Sequence, residues 1–173
     1  MVVPFYQEDP ENYIGWVSSD FHVSTSWINV EPNENGDIPY ADFARDYAVI
    51  NLLPESHPAQ EFGWFAIRNY DHEVGEGVNV SGFPESLQTH PLDWGFDLYK
   101  SLGTLTLLDS YLFEHNALAE RGNSGSPVFN QKEGTLAAIG IHNSGSPDDP
   151  EINTAARIIG YTYNNITYWS GLN

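Results

Sequence analysis

Ser124 lies in the stretch RGNSGSPVFN (121–130), with glycines at 122 and 125 and a proline followed by an apolar pair just beyond. A serine hydroxyl attacks a carbonyl only when a base takes its proton and donors meet the developing oxyanion. Glycine at 122 and 125 lets the backbone aim the N–H groups of Gly122 and Ser124 at one point, as an oxyanion hole requires. A glycine-rich β-turn without chemistry is the other reading of a short G-x-S-G match. Asp46 is the second candidate. RDYAVINL puts its carboxylate at the head of a strongly apolar strand, where desolvation is costly unless the group is paired. The alternative there is a strand-entry aspartate facing solvent. A histidine would complete the set, and the chain has six, at 22, 57, 72, 90, 115 and 142.

Short β-type runs separated by turn residues supply the frame that must position these groups. They are FHVSTSWINV (21–30), DYAVINLL (46–53), EFGWFAI (61–67), GVNVSGFP (77–84), SLGTLTLLD (101–109), SPVFN (126–130), GTLAAIGIHNSG (134–145) and NTAARIIG (153–160). NENGDIPYADFAR reads as an irregular loop, and NLLPESHPAQEFG (51–63) as a connection between two sub-barrels. The tail YTYNNITYW (161–169) fits a short helix with Ile166 and Trp169 on one face. Fifteen glycines and eleven prolines against one methionine agree with short strands and tight turns.

Composition narrows the partners. The 173 residues carry 24 acidic and 6 basic side chains, a net charge of -18. Phosphate binding needs clustered Lys or Arg, so nucleic acid and anionic membrane surfaces are excluded as expected partners. No apolar run approaches the roughly 18 residues of a membrane span. There is no cysteine, hence no disulfide and no thiolate zinc site. No cofactor is expected; acidic patches such as SPDDPE (146–151) could hold a structural calcium, but this one lacks the ordered spacing of a known calcium loop.

The whole string GNSGSPVF at the start of a strand, Asp46 ahead of alternating aliphatics, and VNVSGFP, GIHNSG and NTAARI in order around the serine resemble the trypsin-like serine endopeptidases. Within them the likeness is greatest to the bacterial glutamyl endopeptidase branch. It runs from about Val2 to Trp169 and includes VVPFYQEDPENYIGW, which is similar to that branch's first-barrel stretch after the histidine helix. The resemblance implies an all-β fold of two antiparallel β-barrels, a short C-terminal helix, and catalysis in the cleft between the barrels. Residues 1–58 would form a partial N-terminal barrel carrying Asp46. Residues 59–173 would form a complete C-terminal barrel carrying the serine and the specificity pocket. It further implies Ser124 as nucleophile, Asp46 as orienting acid, Gly122 and Ser124 as oxyanion donors, and His142 as the pocket group that meets an acidic side chain. Leu118 stands six residues before Ser124, where trypsin itself has an acidic group, so selectivity for Lys or Arg is not implied. Ala119 occupies a position where an enzyme of the glutamyl branch offers a hydroxyl, which weakens strict Glu selectivity.

In this family the chain order is His, Asp, Ser, and only His22 precedes Asp46. The family's histidine ends a Thr-Ala-x-His-Cys-like stretch, whereas SSDFHVSTSW lacks those small residues and reads as a strand. His57, His72, His90 and His115 read as surface or turn residues. The expectation is therefore a first barrel missing its leading strands and its catalytic histidine, since barrels of this type take roughly 200–250 residues. Two functional classes follow. One is a secreted serine endopeptidase acting on protein or peptide substrates, completed by an upstream segment or a complementing fragment. The other is a catalytically dead relative that binds peptide or a partner protein. An acidic, aromatic-rich, lectin-like β-protein has only the composition behind it.

Overall fold

The computed structural model describes residues 18, 20–53, 60, 63–87, 98–132, 134–146, 149 and 151–172. Its smaller sheet pairs β1 (Asp20–Val23) antiparallel with β2 (Ala48–Asn51), from Asp20 opposite Asn51 to Val23 opposite Ala48. Among the described residues this first sheet has two strands. Between them run a single turn of helix, α1 (Thr25–Ile28), and a 3₁₀ helix (Tyr40–Arg45) entered from Pro39. Two expectations are corrected here. The run at 21–30 leaves the strand at Ser24 and turns into α1, whose Trp27 ring packs on Phe43 at 6.3 Å. The loop through 40–45 is helical rather than irregular.

β3 (Ala66–Ile67) adds in parallel to β8 (Thr135–Gly145). The remaining strands are β4 (Gly77–Gly82), β5 (Tyr99–Leu108), β6 (Leu112–His115), β7 (Pro127–Lys132) and β9 (Asn153–Arg157). Hydrogen bonding in the order β8–β7–β4–β5–β6–β9 returns to β8, which closes an antiparallel barrel of six strands with no free edge. This is the expected second barrel. β6 is an addition, because LFEH is short and half polar and gives little alternation to read.

Period-2 alternation explains why these segments are strands. In β4 every second residue is buried, placing Val78 and Val80 inside. With Leu105, Phe113, Ala117, Val128, Ile139 and Ala155 they fill the barrel. Every residue of β9 is buried, since one face lines the barrel and the 3₁₀ helix lies against the strand. The final helix, α2 (Gly160–Ser170), starts where Asn69 Oδ1 accepts from Gly160 N–H at 3.0 Å and ends at Gly171 in the left-handed conformation. It ties the small sheet down. Trp169 lies against Tyr47 at 5.9 Å, Asn51 Nδ2 donates to Trp169 O at 2.8 Å, and Asn165 Nδ2 donates to Tyr47 OH at 2.7 Å.

Some expectations fall wholly or partly outside the described residues, among them the stretch VVPFYQEDPENYIGW, much of the connection at 51–63, the start of the strand expected at 61–67, and the calcium expectation at Pro147, Asp148 and Pro150.

Candidate active site

Ser124 sits on an exposed turn between Glu120 and the head of β7. Asn123 N–H donates to Glu120 O and Ser126 N–H to Asn123 O, both at 2.9 Å, which winds the chain sharply around the serine. β8 clamps the exit: Gly125 N–H donates to His142 O at 2.8 Å and His142 N–H to Ser126 O at 2.9 Å. Among the described residues no hydrogen bond occupies Ser124 Oγ or the N–H groups of Gly122 and Ser124. A hydroxyl and two backbone donors thus stand open on one held turn.

Glycine at 122 is needed twice over. Its φ is 97°, where side chains with a Cβ are strained, and a Cβ there would come within 2.3 Å of Phe83 O. Gly125, at φ 85°, has open space around its missing Cβ. Left-handed backbone costs a non-glycine residue about 1–2 kcal/mol, and overpacking adds about 1–3 kcal/mol. Gly122→Ala is therefore expected to lower the unfolding free energy clearly more than Gly125→Ala, read from urea midpoints. Equal losses would show that the Phe83 contact does not constrain the turn.

Asp46 is the C-terminal cap of the 3₁₀ helix, two residues short of the strand it was expected to open. Its N–H donates to Phe43 O at 3.2 Å. The carboxyl group is half-buried, and burial raises its pKa above the ordinary aspartate value. Two hydrogen bonds anchor that helix to the barrel: Tyr40 OH donates to Glu114 Oε1 at 2.8 Å, and Asn143 Nδ2 of β8 donates to Phe43 O at 2.7 Å.

His142 is buried directly behind the Ser124 turn. Burial drives its pKa down to about 4, although the Thr154 backbone pulls the other way, so the ring is neutral near pH 7. The second ring in contact with it is His115, fully buried on β6, edge-on at 5.7 Å. Burial first, then the His142 charge, takes His115 to about 3. β9 separates the two strands, with His115 opposite Asn153 and His142 opposite Ala155. His115 and His72 correct the expectation of surface histidines. His72 is buried with Nδ1 2.9 Å from Glu76 Oε2, and its pKa is lowered by burial against the pull of that carboxylate. His57 and His90 lie outside the described residues.

The other pocket candidates sit elsewhere. Leu118 and Ala119 line a cavity of 70 Å³ with Val80, Tyr99 and Asn123, and His142 is not among its walls. Leu118 is largely exposed, while Ala119 packs on the barrel core. His22 lies within β1 opposite Val49, its ring stacked on Trp169 at 5.8 Å and its Nε2 3.5 Å from an Asp20 carboxylate oxygen. That is the strand placement expected of it.

A closed six-stranded antiparallel barrel, a second small sheet and a C-terminal helix make a chymotrypsin-like architecture. Residues 21–140 match the trypsin-like peptidase domain, and the chain belongs to that family. Solved structures share the fold. A Glu endopeptidase is similar with a TM-score of 0.70 at 21% identity, covering 89% of this chain and 63% of its own. A thermostable serine protease AL20 from an extremophilic microorganism gives 0.69 at 20%, covering 99% and 74%. The protease Anisep of Arthrobacter nicotinovorans gives 0.62 at 18%, covering 94% and 69%. The chain thus spans less than two thirds of the Glu endopeptidase. Trypsin-like peptidases are hydrolases of protein and peptide substrates whose chemistry is carried by side chains and backbone donors.

Proposed function

We propose that this chain is the greater part of a serine endopeptidase in which Ser124 forms an acyl-enzyme with the substrate carbonyl. The observation that carries the reading is the turn itself: a backbone only glycine tolerates at 122 leaves Ser124 Oγ and two N–H donors open while β8 holds the turn from behind. Asp46 is the orienting acid, and its half-buried carboxyl suits a group meant to hold an imidazolium. His142 receives an acidic substrate side chain, and Ala119 and Leu118, on the wall of a separate small cavity, are the remaining pocket positions. Residues 1–58 belong with the first barrel and 59–173 with the second. The protein is secreted.

The general base comes from a segment or fragment outside these 173 residues. His22 is an unsuitable base because it lies within a paired strand, stacked on Trp169, and not on a short helix like the family's histidine. His57, His72, His90, His115 and His142 all follow Asp46 in the chain, against the family order of His, Asp, Ser. Without a base the serine hydroxyl stays protonated and attacks slowly.

A fluorophosphonate probe tests this on the full chain. Ser124 is expected to label slowly, and faster once a peptide bearing the leading strands and a Thr-Ala-x-His-Cys-like stretch is added. Ser124→Ala should abolish labelling. Rapid labelling by the unsupplemented chain, lost in His22→Ala, would overturn the outside base. No labelling under any condition would replace the peptidase by a peptide-binding relative.

A further inference from the structure

Asn143 joins three segments that the sequence keeps far apart. It falls at an irregularity of the β8–β9 ladder, where the register moves from His142 opposite Ala155 to Ser144 opposite Thr154 and leaves Asn143 without a partner. Such bulges re-aim a side chain out of the regular pleat. Here the amide is used at both ends. Its Oδ1 accepts from Thr154 Oγ1 at 3.0 Å, and its Nδ2 donates to Phe43 O at 2.7 Å. Thr154 is fully buried and its hydroxyl also stands 3.0 Å from Ser144 O, so the bulge is pinned on a buried partner.

Phe43 O also accepts from the backbone N–H of Asp46. Asn143 and Asp46 therefore meet on one carbonyl oxygen. The residue before Asn143, His142, holds the serine turn, through Gly125 N–H to His142 O and His142 N–H to Ser126 O. The path from the nucleophile to the acid runs through one peptide bond, one side-chain amide and one carbonyl.

We propose that Asn143 is the positioning residue that sets Asp46 against the Ser124 turn, so that the His142 strand and the acid-bearing 3₁₀ helix move as one body. This rests on the reading of Ser124 and Asp46 as parts of one site. Only a side chain that carries both a donor and an acceptor can do this. Aspartate would offer an oxygen to Phe43 O where a donor is required, and leucine would offer nothing. No charged neighbour enters the account at Asp46, since burial is what shifts its titration and Arg45 on the same helix is paired with Asp42.

Amide hydrogen exchange and carboxyl titration by NMR on the full chain test the link. In Asn143→Asp, exchange at residues 43–47 should rise at least about tenfold while the barrel amides of β4 and β7 change little. Asp46 should then titrate nearer the ordinary aspartate value, because a released helix exposes it. Asn143→Gln, which keeps the donor, should restore much of both. In the complemented chain the loss should fall on kcat with KM nearly unchanged, because Asp46 acts on the base and not on the substrate. Wild-type exchange and titration at 43–47 in Asn143→Asp would overturn the proposal. Should that variant unfold, the Asn143 side-chain amide of the wild-type chain decides: slowed exchange is expected, and exchange at the free rate overturns the link. Failure of Ser124 to label would remove the peptidase reading and leave these exchange rates as they are.

Discussion

Peptide hydrolysis by the 173-residue chain is expected to stand barely above background and to rise by up to about 10⁶ when the histidine-bearing segment is supplied. The size follows from how a nucleophile, base and acid act as a unit: losing the histidine alone costs nearly as much as losing all three. An intact oxyanion hole and substrate site can leave about 10³–10⁴ over water, so the starting point is low but not zero. Matched Glu, Asp, Phe and Arg peptides on the complemented chain then read the pocket. A carboxylate arriving beside His142 favours the protonated, donating form of the ring, whereas an arginine's positive charge opposes it. Glu should be cleaved faster than Arg, with modest selectivity because Ala119 adds no hydroxyl. The net charge of -18 works the other way, drawing in Arg peptides and repelling acidic ones. The Glu-to-Arg ratio should therefore grow as salt is raised from about 0.01 to 0.15 M, where the Debye length falls from about 30 to 8 Å. Faster Arg than Glu turnover at the higher salt would overturn the role of His142.

Local patterns made much of the second barrel legible. Alternating aliphatics marked β4, β8 and most of β5, and the glycines at 122 and 125 marked the serine turn, because a left-handed backbone is a property of a few consecutive residues. What stayed hidden depends on distant partners. His115 reads as polar among polar neighbours until β9 carries it to His142. The 3₁₀ helix before Asp46 has no amphipathic period over its six residues and is fixed by Tyr40 on Glu114 and Asn143 on Phe43, the latter 100 residues away along the chain. Asn143 shows nothing in GIHNSG that separates it from a turn residue. Its placement comes from a bulge, and a bulge exists only once two strands are paired.

Lowering the pH should destabilise the folded chain through His115 and His142, even though the approach to its isoelectric point of 4.3 relieves repulsion among its acidic groups. Burial holds His115 at about 3 and His142 at about 4, against an ordinary histidine value of 6.5. An unfolded chain takes up both protons near pH 6.5, whereas the folded one refuses them. The stability these two groups contribute is complete above that value and is lost as pH falls towards their folded values. Each resisting histidine then costs about 1.36 kcal/mol per pH unit, or roughly 2–3 kcal/mol between pH 6.5 and 4.5. Against a typical total of about 5–15 kcal/mol this is a large share. Asp46 acts in the opposite sense, since its raised pKa penalises the charged form and that penalty eases as the pH falls. His72 adds to the histidine side in part, with Glu76 offsetting its burial. The contribution of His115 separates cleanly in His115→Phe, which keeps an aromatic ring beside Phe113 and His142 and removes the titrating nitrogens. Urea unfolding at pH 7.5, 6.5, 5.5 and 4.5 should show the variant gaining on the wild type by about 1 kcal/mol for each unit below 6.5. Stability curves that stay parallel down to pH 4.5 would mean that His115 takes up its proton in the folded state and that water reaches the inside of the barrel.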